Sequence, residues 1–430
     1  MADRRVVITG RGVVSPLGVG VEEHCKGLSS NRSFIHRSQR LSSIGYPLCS
    51  AGEISDEELQ SSVSLIPPKQ KKLMNRAGIL AAIASLLAAK ESALEKSQVE
   101  SARMGVFLAT WFTGYHLPSF VRYLADTESR ENVGAIDSAK ANAIWLERMN
   151  PVDYSLKVLP NLSAGHLAIL HQAQGGSRVI ADGWRGGLLA VGQAAQAIRE
   201  GELDLVLAGG SESPLEDGVF YDLCNLPLVA KDENCTDSIC RPFDVSRGGI
   251  VPGEGAGVVV LEEREHALRR EISIFGEVTG WASAGPGQEG DRASALSLSM
   301  WKALVLGGIM PSQVELIHAN GDSSSENDRA EWIAVDRVFG PHITDISVTA
   351  TKSLHGHLLS AAGAVELISS LLMLEHGIIP SIAHCDSPDP ECCLNLVRGA
   401  LLEKPGIKVI LLNALGLFGE AASLLIQLKD

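Results

Sequence analysis

Gly253-Glu254-Gly255-Ala256-Gly257 runs directly into Val258-Val259-Val260-Leu261, and the chain closes on the same device, Gly419-Glu420-Ala421-Ala422-Ser423 followed by Leu424-Leu425-Ile426. Small residues make a turn, and an unbroken apolar run makes a strand buried on both faces. Its recurrence at the middle and the end of the chain predicts two fused copies of one unit. Working outward, residues 5–9, 105–108, 204–208 and 258–261 read as strands. Between them lie Ala-rich amphipathic stretches, clearest at 78–96, at 186–200 and from Leu358 through Leu374. In the second of these, Leu188, Leu189, Val191, Ala195 and Ile198 share one apolar face. The run Ser360-Ala361-Ala362-Gly363-Ala364 permits close helix packing. Strands alternating with helices predict a layered α/β protein.

The charged segment 264–273, with a helical pattern over 265–270, marks the boundary, giving halves at 1–263 and 264–430. No low-complexity linker separates them, so the halves are expected to pack tightly. Residues 110–160 read as an insertion: 126–142 is a polar surface excursion, and Trp145, Tyr154 and Leu159 return to a core or an interface.

A chain of 430 residues, 45% of them hydrophobic, can bury a large core. With 37 basic against 51 acidic residues, the net charge of −14 excludes a nucleic-acid binder that works by counterion release. The opening MADRRVVITG has no long apolar centre and no cleavage site, and no later apolar stretch reads as long enough to cross a bilayer. A cytoplasmic protein with no membrane partner is expected. Cys25, Cys49, Cys224, Cys235, Cys240, Cys385, Cys392 and Cys393 lack metal-ligand spacing and read as reduced thiols, with no metal and no cofactor.

The motifs then fall into a recognisable order. They are VVITGRGVVSPLG at the start, AGH at 164–166, AGGSES at 208–213, RPFD at 241–244, PGEGAG at 252–257, TKSLHGHLLSAAGAVE at 351–366 and NALGLFGEAAS at 413–423. Together they resemble the β-ketoacyl-acyl carrier protein synthases of the thiolase superfamily over nearly the whole chain. The resemblance implies a duplicated thiolase-like fold, α/β in five αβαβα layers, and a dimer with strands paired across its two-fold axis.

The resemblance also implies a site, and this chain departs from it. Such an enzyme needs a thiolate to carry the acyl chain and two imidazoles to polarise a thioester carbonyl. Counting from Ala164-Gly165-His166, the nucleophile's place falls on Trp184, whose indole is not nucleophilic. The first histidine's place falls on Asn320 in Asn320-Gly321-Asp322-Ser323-Ser324, and Asp322 replaces a threonine that lines the pantetheine tunnel. A carboxylate there opposes a phosphopantetheine arm unless it is paired. His318, two residues earlier, does not match the family position. Lys352 and His357 match the lysine and the second histidine, and Glu331 matches a family glutamate. Asn413, Ser324, Leu417 and Phe418 fall at tunnel and gate positions; Leu417 replaces the gating phenylalanine and Phe418 a glycine, which predicts a stiffer loop. Lys69, Lys71, Lys72 and Arg76 lie where relatives contact an acidic carrier protein, and read equally as a solvated helical face.

A condensing-enzyme fold without its nucleophile resembles the chain-length factors, the inactive subunits of type II polyketide and aryl-polyene-like systems. The implied role is to pair with a cysteine-bearing ketosynthase paralogue, shape the tunnel for the growing chain, and meet acyl carrier protein through that complex. Two other classes stay open: a malonyl-thioester decarboxylase using His357 and Asn320 without a covalent step, and a homodimeric acyl-binding protein.

Overall fold

The computed structural model describes residues 4–45, 48–111, 117–129, 132, 134–149, 152–231, 238–287 and 290–428. Cys235 and parts of the 110–160 insertion lie outside the described residues.

Ten strands carry the architecture. The first half supplies β1 (Val6–Ser15), β2 (Met104–Ala109), β3 (Ser177–Ile180), β4 (Leu205–Glu212) and β5 (Gly255–Glu263). The second supplies β6 (Gly276–Ala284), β7 (Leu316–His318), β8 (Ser347–Thr349), β9 (Val409–Leu415) and β10 (Ala421–Gln427). They lie in the continuous order β8-β7-β9-β10-β6-β1-β5-β4-β2-β3. Within the first half β2 runs parallel to β3 and β4, while β5 is antiparallel to β4 and β1. The second half repeats the scheme: β7 is parallel to β8 and β9, and β10 is antiparallel to β9 and β6. The two sets meet where β1 pairs with β6 at Val7↔Glu277 and Ile8↔Gly276.

The helices used below are α1 (Arg76–Glu91), α2 (Leu117–Thr127), α3 (Ser138–Arg148), α4 (Asn161–Leu170), α5 (Gly186–Arg199), α6 (Arg292–Gly307), α7 (Ser325–Phe339) and α8 (Ala362–His376). α1 and α4 cover the outer face of the first set, α6 and α7 that of the second, and α5 and α8 pack against strands of both sets and against each other. The strands flanked by α5 and α8 are apolar along their length because both faces are covered: β4 and β9 are buried at every residue. Helix starts follow local chemistry. The Asn75 side chain accepts the Gly78 N–H at 2.8 Å, so α1 begins at Arg76, ahead of the expected residue 78.

The glycine run at 253–257 departs from the turn expected there, since Gly255, Ala256 and Gly257 already belong to β5. Their smallness serves packing. A Cβ on Gly209 would sit 1.9 Å from the Gly257 oxygen, and one on Gly257 would sit 2.7 Å from the Val365 nitrogen. Bare backbone lets β4, β5 and α8 close together. A second correction concerns residues Leu359–His376, which are long and apolar enough by length and composition to cross a membrane, although 89% of that window is buried inside the fold. A third concerns the thiols: Cys25, Cys224, Cys240, Cys385, Cys392 and Cys393 are free, whereas Cys49 is disulfide-bonded.

α2 and α3 flank the polar excursion, whose described residues between them include a bridge from Glu128 to Ile136. α2 and α3 pack on each other, and the Tyr123, Trp145 and Tyr154 rings meet in series, edge-on at 5.5 Å and tilted at 5.6 Å. Val121, Ile136 and Leu146 stay exposed, Leu146 by 83%.

Gly209→Ala is expected to lower stability by about 1–3 kcal/mol through overpacking against backbone that cannot move aside. A fall in the urea midpoint with an unchanged m-value checks it; no change would mean that β4 and β5 have slack.

Candidate active site

Trp184 occupies the one-turn helix Gly183–Arg185 that feeds α5. Gly183 takes φ 58°, and its carbonyl accepts the Ser360 hydroxyl at 3.1 Å. Arg185 pairs with Asp182 at 3.0 Å and donates to the carbonyls of Ala284 and Ala421, each at 3.1 Å, so the ends of β6 and β10 brace the turn. A Cβ on Gly187 would lie 2.8 Å from the Ser360 oxygen and 2.9 Å from the Ala364 nitrogen, so the start of α5 abuts the start of α8. The indole is thereby buried, 1% exposed, with its ring 4.9 Å from the His357 ring and tilted 58° to it. Leu215, Phe220, Leu359 and Leu417 belong to the same apolar cluster.

His357 is held by its backbone: its N–H donates to Val251 O at 2.7 Å and its carbonyl accepts from Gly253 N at 3.0 Å. Its Nδ1 accepts the Leu359 N–H at 3.0 Å, which leaves the proton on Nε2. Burial first, then Lys352 and His355, holds the imidazole well below its ordinary pKa, so it is neutral.

Lys352 is buried and donates to Glu366 at 2.6 Å and to the Asn320 carbonyl at 2.7 Å. Glu366 lies within the motif that carries the resemblance but was assigned no role from sequence. Asn320 has one of its two amide N–H donors engaged. Its Nδ2 donates to Asp322 at 3.0 Å and its Oδ1 accepts the Leu415 N–H at 3.1 Å. Asp322 also accepts from Asn327 Nδ2 at 2.6 Å and Ser324 N at 2.9 Å, so this buried carboxylate is paired with neutral donors. Glu331 accepts from Asn320 N, Gly321 N and Asn413 Nδ2, and burial raises its pKa.

Several positions differ from the roles the resemblance gave them. Asn413 is wholly buried, bonded to Glu331 at 3.1 Å and to Ser423 at 3.0 Å, and lies in the core rather than in a gate. Ser324 caps α7 through the Asn327 N–H. Phe418 points outward, 72% exposed, while Leu417 is buried beside the indole's cluster. Two groups missed in the sequence hold their loop. Arg292 donates to Gly416 O at 3.1 Å and Leu417 O at 3.0 Å, and Glu420 accepts the Phe418 N–H at 3.0 Å. Short loops packed against distant helices leave no periodic signal for such clamps.

His318 is tied to hydroxyls on both nitrogens, Ser370 at 2.8 Å and Thr351 at 2.9 Å, so it belongs to the core. Cys240, also missed, donates to the Lys352 carbonyl at 3.4 Å; burial, with Asp328 and Asp322, raises its pKa and keeps it a thiol. Among the described residues no group of three or more His, Cys, Asp or Glu side chains is arranged to hold a metal.

Lys69, Lys71 and Lys72 are exposed. Arg76 is not a free cation of that surface, because it is bound to Glu254 at 2.7 Å and Asp56 at 2.7 Å. Beside the lysines lies a cleft of about 590 Å³ floored by Leu59, Val63, Met74 and Ile79, with Lys71 and Lys157 among its lining residues.

A repeated sheet flanked by three helical layers, with a lysine and histidine from one loop meeting the start of a central helix, defines the ketosynthase class. Residues 3–267 match the beta-ketoacyl synthase N-terminal domain and residues 275–386 its C-terminal domain, so the chain belongs to the β-ketoacyl synthase family. It is 32% identical to nodulation protein E of Rhizobium leguminosarum bv. trifolii, with 92% of each chain covered. It is also 32% identical to the granaticin polyketide putative beta-ketoacyl synthase 1 of Streptomyces violaceoruber, covering 92% of this chain and 91% of that one. Among solved structures, the ishigamide ketosynthase/chain length factor superimposes with a TM-score of 0.85 at 27% identity, covering 100% of both chains. A type II polyketide ketosynthase in complex with its acyl carrier protein gives a TM-score of 0.82 at 26% identity, covering 99% of this chain and 100% of that one. The mixed α/β fold is that of the thiolase-like ketosynthases.

Glu366→Gln is expected to cost about 3–5 kcal/mol, because it strands a buried ammonium, and the double variant with Lys352→Met should recover part of that loss. Equilibrium unfolding of the three proteins checks this. Acid sensitivity follows from the core histidines. Burial holds His24 at about 3, against 6.5 for a free imidazole, and burial with Lys352 nearby holds His318 at about 3. The unfolded chain binds these protons first, so stability present above pH 6.5 is lost as pH falls from about 6.5 toward 3. The urea midpoint should drop over that window, with proton uptake on unfolding at pH 5 that is smaller in His318→Gln.

Proposed function

We propose that this chain is a non-acylating subunit of polyketide or fatty-acid-like synthesis. It pairs with a cysteine-bearing ketosynthase, stabilises it, and shapes the tunnel that holds the growing chain. The observation that carries this reading is the buried indole of Trp184 on the turn before α5, packed against His357 where a thiolate would have to stand. Cys240, the thiol beside Lys352, has its thiolate disfavoured by burial. Among the structural relatives, the ishigamide assembly is named as a ketosynthase with a chain length factor, which is the pairing proposed here.

Surface features support a partner. Among the described residues β3 is one of the two end strands of the sheet, and an edge strand pairs readily with another chain. Val121 on α2, Leu146 on α3 and Ile136 between them are exposed, and Leu159 and Ile169 are exposed as well, which favours a covered surface over a solvated one. The exposed Lys69, Lys71 and Lys72 beside an apolar cleft suit an acidic, amphipathic carrier protein, met through the complex. The decarboxylase reading keeps less support at Asn320, where Asp322 takes one of the two amide N–H donors.

Two experiments test the proposal. Co-expression with a cysteine-bearing ketosynthase should yield a stable one-to-one complex in tandem purification; a homodimer indifferent to that partner counts against it. Trp184→Cys alone should neither accept an acyl group, by intact-protein mass, nor condense, because Asn320 supplies no imidazole. Efficient acyl transfer by that single variant would overturn the reading.

A further inference from the structure

The indole and the imidazole have one feature that space-filling does not explain. Trp184 Nε1 and His357 Nε2 are both sealed from solvent, and neither has a hydrogen-bond acceptor. Leaving a buried donor unpaired is costly, and phenylalanine would plug the same space without that cost. The His357 proton is fixed on Nε2 because the Leu359 backbone N–H occupies Nδ1. Two N–H donors, on rings whose centres are 4.9 Å apart, therefore await an acceptor that the protein does not supply.

The surroundings select the acceptor. The charges of the nearby cations are balanced, Lys352 by Glu366 at 2.6 Å and Arg185 by Asp182 at 3.0 Å, although the Arg185 Nε–H is itself unpaired, so a carboxylate would enter against two filled ion pairs. The cluster around the indole is apolar, with Leu215, Phe220, Leu359 and Leu417. A neutral oxygen on an otherwise apolar chain satisfies both conditions. We infer that Trp184 Nε1–H and His357 Nε2–H together form a two-donor site for a ketone oxygen of a β-ketoacyl chain, held without covalent attachment. This rests on the tunnel-shaping reading above, and it assigns the indole a recognition role beyond bulk. Because both nitrogens are sealed, the oxygen arrives only with a chain that parts the apolar side chains around them.

The test uses the full chain in complex with its ketosynthase partner and two probes, a β-ketoacyl pantetheine amide and the amide lacking only the keto oxygen. The keto probe should bind about tenfold more tightly, the yield of a well-formed pair of hydrogen bonds over the same chain without them. Trp184→Phe should cut the ratio to about threefold, because the His357 Nε2–H remains, with most of the loss falling on the keto probe. If that variant does not fold, 15N-indole labelling of the unmutated chain carries the test. A slowly exchanging indole N–H should move downfield with the keto probe and stay in place with its analogue. Equal binding of the two probes, or an indole resonance indifferent to the keto oxygen, overturns the inference. The tunnel-shaping role fails separately, through loss of the complex or unchanged product length when Trp184→Ala is paired with the ketosynthase.

Discussion

The structure turns on the contact between the starts of two helices that belong to different halves of the chain. At Gly187 the first turn of α5 rests on Ser360 and Ala364 at the start of α8, close enough that no side chain fits between them. That contact sets the turn bearing Trp184 against the loop bearing His357 and Lys352. It also forces both helices into the space between the two strand sets, where only apolar strands can face them. Loosening it would separate the halves of the site before it disturbed either half of the sheet.

Charge in this site is balanced inward. Lys352 is neutralised by Glu366, Asp322 is satisfied by Asn320, Asn327 and Ser324, and His357 is neutral. The polar groups here answer one another, and the apolar cluster packs around the indole. Among the exceptions are the ring N–H groups of Trp184 and His357 and the Nε–H of Arg185, which carry more information than the bonded groups around them. The loop 416–420 follows the same logic, since Arg292 and Glu420 absorb its backbone groups and hold Leu417 inward.

Much of the fold was legible from pattern alone. Apolar runs marked the strands, small-residue stretches marked the central helices, and the recurrence of one device marked the repeated sheet. The glycine run at 253–257 was misread as a turn because glycine signals either a turn or a close backbone approach, and only the neighbours decide which. Asn413, Ser324 and Arg76 sat at positions with inherited roles, yet their side chains are consumed by the core, a helix cap and a buried glutamate. Cys240 and Arg292 gave no local signal, because their partners lie more than a hundred residues away in sequence.

The sequence by itself determined the class of fold, the repeat, and the identity of residue 184, since periodicity and residue type are local properties. Only the tertiary structure decided which groups remain unpaired. Hydrogen-bond satisfaction depends on neighbours brought together by the fold, and no linear pattern records that Lys352 is taken by Glu366 while Trp184 and His357 keep their protons unclaimed.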